Sequence, residues 1–180
     1  MKKNIAKASL AVVAGAALFF VAVTPNYDRQ KHFGGWIDID KDCQNTRHEV
    51  LIAESQVPVT LTEDGCQVDS GYWVCPYTGK VFTDPRKMDI DHMVPLKEAW
   101  VSGASEWSKE QRVAFANDLD YPDHLVATEA SANRKKSAKD PGLWLPEQNK
   151  SWYVEEWLRV KENYNLNLDP REVRAILDNK

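Results

Sequence analysis

The sequence predicts an α+β domain, and three observations carry that expectation. Short alternating or β-branched segments fall at residues 57–61, 67–74, 88–94 and 125–128. Between and after them lie stretches that open on helix-start signals at Thr46, Ser108 and Asp169. Beyond Pro25 there is no internal repeat, low-complexity tract or Gly/Ser linker, so residues 25–180 read as one domain.

Residues 1–24 read as a signal peptide or an N-terminal membrane anchor. Lys2, Lys3 and Lys7 precede an unbroken apolar run over residues 8–23, with no acid among them. Residues 46–55 (TRHEVLIAES) have helical composition, with Thr46 as N-cap and Glu49 completing a capping box. Residues 57–61 and 67–74 read as short strands separated by a Glu63-Asp64-Gly65 turn, and Pro76-Tyr77-Thr78-Gly79 is a further turn. Residues 88–94 (MDIDHMV) alternate, which places Asp89 and Asp91 on one face and Ile90 and His92 on the other until Pro95 ends the strand.

Residues 96–101 and 108–119 read as helices, the second capped by Ser108 with Gln111 three residues on. Residues 125–128 form a short apolar strand, and residues 129–138 (EASANRKKSA) a helix closed by the Asp140-Pro141-Gly142 turn. Residues 153–164 make an amphipathic helix with Val154, Trp157, Leu158 and Lys161 at 3–4 spacing. Asp169 caps the last helix, with Pro170 at its first position and Glu172 completing the box. Seven tryptophans spread along the chain read as core or subcore residues and not as a base-stacking platform.

Charge narrows the function. The chain has 27 acidic and 23 basic residues; without the three lysines of the leading segment, 20 bases face 27 acids, a net −7. That balance excludes a broadly basic nucleic-acid coat and leaves room for local phosphate contacts. Three cysteines behind an export signal favour one disulfide and one remaining thiol. Spacing alone leaves Cys43–Cys66, Cys66–Cys75 and a zinc site of Cys43, His48, Cys66 and Cys75 all open.

One constellation carries chemistry: Asp89-Ile90-Asp91-His92 at a strand end, and Asn133-Arg134-Lys135-Lys136-Ser137 on a later helix. A hard divalent cation takes oxygen ligands, which Asp91 and the Asn133 amide supply. Neutral His92 suits removal of a proton from an attacking water, and Arg134 and Lys136 suit a phosphate.

Asp-His-x-Val-Pro-Leu, the strand at 125–128 and Asn-Arg-x-Lys on the next helix resemble the HNH endonucleases, the His-Me finger nucleases. Tyr27-x-Arg29, Phe33 to Trp36, Cys43 with Thr46-Arg47, Gly71-Tyr72-Trp73, WSKEQRVAFANDL, SANRKKSAKDPGLWLP and WYVEEWLRVKENYNL extend the likeness over nearly everything after residue 25. The likeness is to the exported bacterial type related to the C-terminal domain of GmrSD restriction enzymes.

The resemblance implies a ββα-metal core with a helical insertion between its two strands and additional N- and C-terminal helices. It implies metal-dependent phosphodiester hydrolysis of nucleic acid, DNA before RNA, with magnesium as the default ion. His92 is then the general base, Asp91 and Asn133 the metal ligands, Asp89 a support behind them, and Arg134 and Lys136 the substrate contacts. Where such proteins carry an asparagine nine residues before the second ligand, this chain has His124, which either bonds a backbone carbonyl and supports the base, loosens the base and lowers activity, or is a partly exposed residue after the Pro122-Asp123 turn. Arg47 is expected to anchor the N-terminal segment by an ion pair. The family comparison also favours Cys43–Cys66 as the disulfide, leaving Cys75 free or intermolecular. The rival readings are a catalytically silent binding module of the same fold and a membrane-tethered structural domain.

Overall fold

A computed structural model describes residues 26–180. The export segment expected over 1–24 lies outside those residues, and among the described residues no helix is long and apolar enough to cross a membrane.

The described chain opens with a single helical turn, α1 (Arg29–His32), capped by the Asp28 carboxylate on the Lys31 N–H. Helix α2 (Thr46–Glu54) follows, but its N-cap is Asn45, whose side chain accepts from the N–H groups of Arg47 and His48. Thr46, expected in that role, is buried one position inside, where its hydroxyl bonds Ile37 O and Asn117 Oδ1.

Strands β1 (Thr60–Leu61) and β2 (Val68–Ser70) form one antiparallel pair, β3 (Trp73–Val74) and β4 (Val81–Phe82) another. The strand expected over 57–61 is shorter than its composition predicts because Pro58 has no N–H to give a ladder. The run at 67–74 is two strands with different partners, divided at Gly71. A Cβ at Gly71 would lie 2.5 Å from the Trp73 ring, so only glycine lets that ring fold back over the break.

After a 3₁₀ turn at Pro85–Lys87 comes β5 (Met88–His92), then α3 (Leu96–Val101), a second 3₁₀ turn (Ala104–Glu106) and α4 (Lys109–Ala116), which carries the expected Ser108–Gln111 capping box. Strand β6 (Leu125–Glu129) returns antiparallel to β5 in a five-residue register from Met88↔Glu129 to His92↔Leu125. Helix α5 (Ala130–Lys136) follows without a loop, so strand, strand and helix form one unit with α3 and α4 inserted between the strands. Helices α6 (Lys150–Asn163) and α7 (Pro170–Asn179) complete the α+β fold, α7 with the Asp169–Glu172 box and Pro170 as expected.

Opposed residues of an antiparallel pair share a face. Ile90 and Ala127 accordingly join Val50 and Leu51 of α2 in one buried cluster. Val126, paired with Asp91, joins Ala132 of α5 and the larger core of Phe33, Tyr77, Trp100, Phe115, Tyr153 and Trp157. Trp73, Trp100 and Trp157 are buried, and the other four tryptophans pack partly buried against these clusters, as their even spread predicts.

The outer edge of β6 is closed by side chains: Ala127 N–H donates to Glu54 (2.9 Å) and Glu129 N–H to the Cys75 sulfur (3.2 Å). Burial pushes the Glu54 carboxyl up to about 7. Cys75 is free and fully buried, which rules out the intermolecular pairing. Cys43 and Cys66 form the disulfide across a sequence separation of 23, so the zinc set is not available.

Candidate active site

The last turn of α4 organises the site. A helix ends with four carbonyls that have no partner within it. Here all four are taken: Val113 O by Asn117 Nδ2, Ala114 O by Asn117 N, Phe115 O by His124 Nε2 (2.6 Å) and Ala116 O by His92 Nε2 (2.9 Å). Two histidines from two neighbouring strand ends thus hang from consecutive carbonyls. Asn117 also accepts from Ile37 N–H and donates to Gly35 O, so it fixes the segment that lays Trp36 on the His92 ring at 5.2 Å and 6°.

A carbonyl only accepts, so in each ring Nε2 carries the hydrogen and Nδ1 keeps its lone pair. Burial holds the His92 imidazole well below its ordinary range, with His124 nearby adding to the effect. His124 is fully enclosed, pushed down to about 4 by burial, and its Nδ1 has no hydrogen-bond partner. Of the readings open for His124, the carbonyl bond is present and the partly exposed one is excluded by its complete burial. Its backbone also accepts from Met93 N–H (2.8 Å), carrying the β5–β6 pairing one step past the strand end.

Asp91 is 5% exposed. Its Oδ2 accepts from Tyr77 Oη and from Lys136 Nζ, both at 2.6 Å, and Lys136 also donates to His92 O at 2.7 Å. Burial pushes the Asp91 carboxyl up and the Lys136 ammonium down, while the charge of each partner opposes the other's shift. Two short donations to a single oxygen are those of a carboxylate. Among the described residues Asp91 Oδ1 accepts no hydrogen bond.

Lys136 is therefore displaced from the surface role expected of it. With no exposure, it lies beneath Asp91 and cannot reach a phosphate outside. The basic run of α5 divides, because Ala132 and Lys136 face inward at i,i+4 while Arg134 and Lys135 face solvent. Asn133 Nδ2 donates to Asp89 Oδ2 at 3.3 Å, which leaves the amide oxygen as its open end and gives Asp89 a supporting position. Among the described residues Arg47 makes no ion pair: its guanidinium donates to Pro85 O and Met88 O and pins the start of β5.

Asp89, Asp91, His92, Asn133 and Arg134 line one cavity of about 490 Å³, together with Tyr27, Arg29 and Lys97. Residue chemistry thus named five side chains that the fold brings together. It missed Tyr77, Trp36 and Asn117, which lie within recognisable segments but whose roles depend on which chain ends meet.

Residues 62–177 match the family described as GmrSD restriction endonucleases, C-terminal domain. An "Uncharacterized secreted protein" of Arthroderma benhamiae is 39% identical over 153 residues, covering 83% of this chain and 72% of the relative. No solved structure matches.

Proposed function

This chain belongs to the family of GmrSD restriction endonuclease C-terminal domains, and we propose that it is an exported, metal-dependent endonuclease that hydrolyses phosphodiester bonds. The restriction-enzyme description of the family favours DNA over RNA as substrate. The observation that carries the reading is the enforced tautomer of His92. Its Nε2–H is committed to Ala116 O, which leaves Nδ1 as a base in the cavity that Asp91 and Asn133 line.

The donor set fits a hard divalent cation. Asp91 commits only Oδ2 to the protein, the Asn133 amide oxygen accepts no hydrogen bond among the described residues, and both are oxygen ligands. Asp91 and Asn133 would hold that ion, magnesium by default, and it would neutralise charge developing on the phosphate. The arrangement is then the ββα-metal core of the His-Me finger nucleases.

The protein's own groups do the rest. His92 takes the proton of an attacking water at Nδ1, and the resulting imidazolium is stabilised by its charge-assisted bond to Ala116 O and by the Trp36 face. Tyr77 and Lys136 hold Asp91 ionised and fixed, and Asp89 turns the Asn133 amide. Arg134, exposed at the rim, contacts a backbone phosphate.

Export is supported by the apolar run at 8–23, by the Cys43–Cys66 disulfide and by the name of the fungal relative. The test is metal dependence. The protein nicks supercoiled plasmid, EDTA abolishes nicking and added magnesium or manganese restores it. Unchanged nicking in EDTA, or none with any divalent ion, rejects the proposal.

A further inference from the structure

Resting on that endonuclease reading, we infer that Arg29, Lys97 and Arg134 form a three-point clamp on the phosphates that flank the scissile one. The substrate is then a polyanionic strand engaged over several nucleotides. The three cations come from separate elements, α1, α3 and α5, yet line the cavity that holds Asp91, His92 and Asn133. All three are exposed, and among the described residues none is paired with a carboxylate. Arg134 is steadied by its Nε–H on Ala130 O at 3.0 Å.

The place of α1 makes the arrangement specific. A lone helical turn with no buried residue does not persist by itself. It is held against α3 by His32 stacked on Trp100 (4.1 Å, 14°), by the Tyr27 edge on the same indole (6.1 Å), by buried Phe33, and by Arg112 Nε–H on His32 O (3.2 Å). That docking fixes Arg29 at the same cavity as Lys97 of α3. In a domain with a net −7, three cations without a carboxylate partner among the described residues thus share one cavity with Asp89 and Asp91.

Guanidinium groups grip phosphate oxygens in pairs and an ammonium adds a point charge. Each phosphate neutralised on a duplex contributes about −0.9 to the slope of log affinity against log salt, so three predict a slope of about −2.7. The measurement is fluorescence anisotropy of the full chain with a labelled DNA duplex in EDTA, across a salt series. Arg29→Gln, Lys97→Gln and Arg134→Gln should each reduce the slope by about 0.9, while Lys135→Gln, on the exposed side of α5 outside the cavity, leaves it unchanged. Parental slopes in Arg29→Gln and Lys97→Gln, an equal loss in Lys135→Gln, or no DNA binding by the parent would overturn the clamp. Plasmid nicking by the parent separates the two ideas: a parent that nicks while those variants keep its slope loses the clamp and retains the endonuclease.

Discussion

Lys136 lies wholly enclosed between Asp91, His92 O and the Tyr153 ring, the last 6.0 Å from its ammonium. Removing one partner of a buried pair leaves the other charge uncompensated, which costs about 3–5 kcal/mol. Lys136→Met should therefore lower the unfolding free energy measured in urea by an amount in that range; a loss below about 1 kcal/mol, the ceiling for exposed pairs, would contradict its interior role. The sequence did contain a cue, the i,i+4 spacing from Ala132, but four bases close together in NRKKSAK concealed it.

His124 supports a second prediction at the same scale. The folded ring takes up a proton only near pH 4, whereas its ordinary value is 6.5, so the unfolded state binds more protons between those values. Its contribution is complete above pH 6.5 and falls as the pH drops toward 4, by about 3 kcal/mol. His124→Asn keeps an N–H for Phe115 O and does not titrate, so the fall in stability across that range should be shallower in the variant by about that amount, the part due to buried His92 remaining. An equally steep fall would show that His124 is not the group responsible.

At the level of elements, local chemistry was legible where the deciding partners lie within a few residues. The Ser108–Gln111 and Asp169–Glu172 boxes, the break at Pro95 and α3 at Leu96–Val101 all follow from neighbours along the chain. Helix α2 was displaced by one residue because Asn45 and Thr46 are both good caps, and the choice was made by Asn117, which claims the Thr46 hydroxyl from 71 positions away. Asn45→Ala should cost about 1 kcal/mol of stability in thermal or urea unfolding. A neutral effect would mean that its two side-chain bonds to Arg47 and His48 N–H are replaced by water. The small sheets were less legible than the helices, since β1 to β4 depend on Pro58 and on the Trp73 ring crossing Gly71.

Across the whole molecule, distant segments are joined by few but strong ties. Buried Lys161 bridges Glu98 of α3 and Glu172 of α7, each at 2.9 Å, and Arg171 closes on Asp140 beyond α5. The Cys43–Cys66 disulfide joins the approach to α2 with the β1–β2 turn. For a loop of that length the chain-entropy contribution is about 3 kcal/mol, so a Cys43→Ser/Cys66→Ser double variant should lose about that much in urea. Unchanged stability would show that the unfolded chain is already constrained there. The pairing itself was readable only through family likeness, because three cysteines at these spacings leave alternatives open.

The site was legible as chemistry and not as geometry. Asp91, His92 and Asn133 could be named from residue types, but the carbonyls that orient both histidines belong to an inserted helix whose end must first meet β5 and β6. The central claim is that His92, held by Ala116 O with Nδ1 free of hydrogen, is the base of a phosphodiester hydrolysis. Nicking of supercoiled plasmid by the parent and by His92→Ala, in magnesium and at matched folded concentration, tests it most directly. The account predicts a loss of at least about 10²-fold in the variant, the lower range for a general base. Nicking by His92→Ala at the parental rate would contradict it.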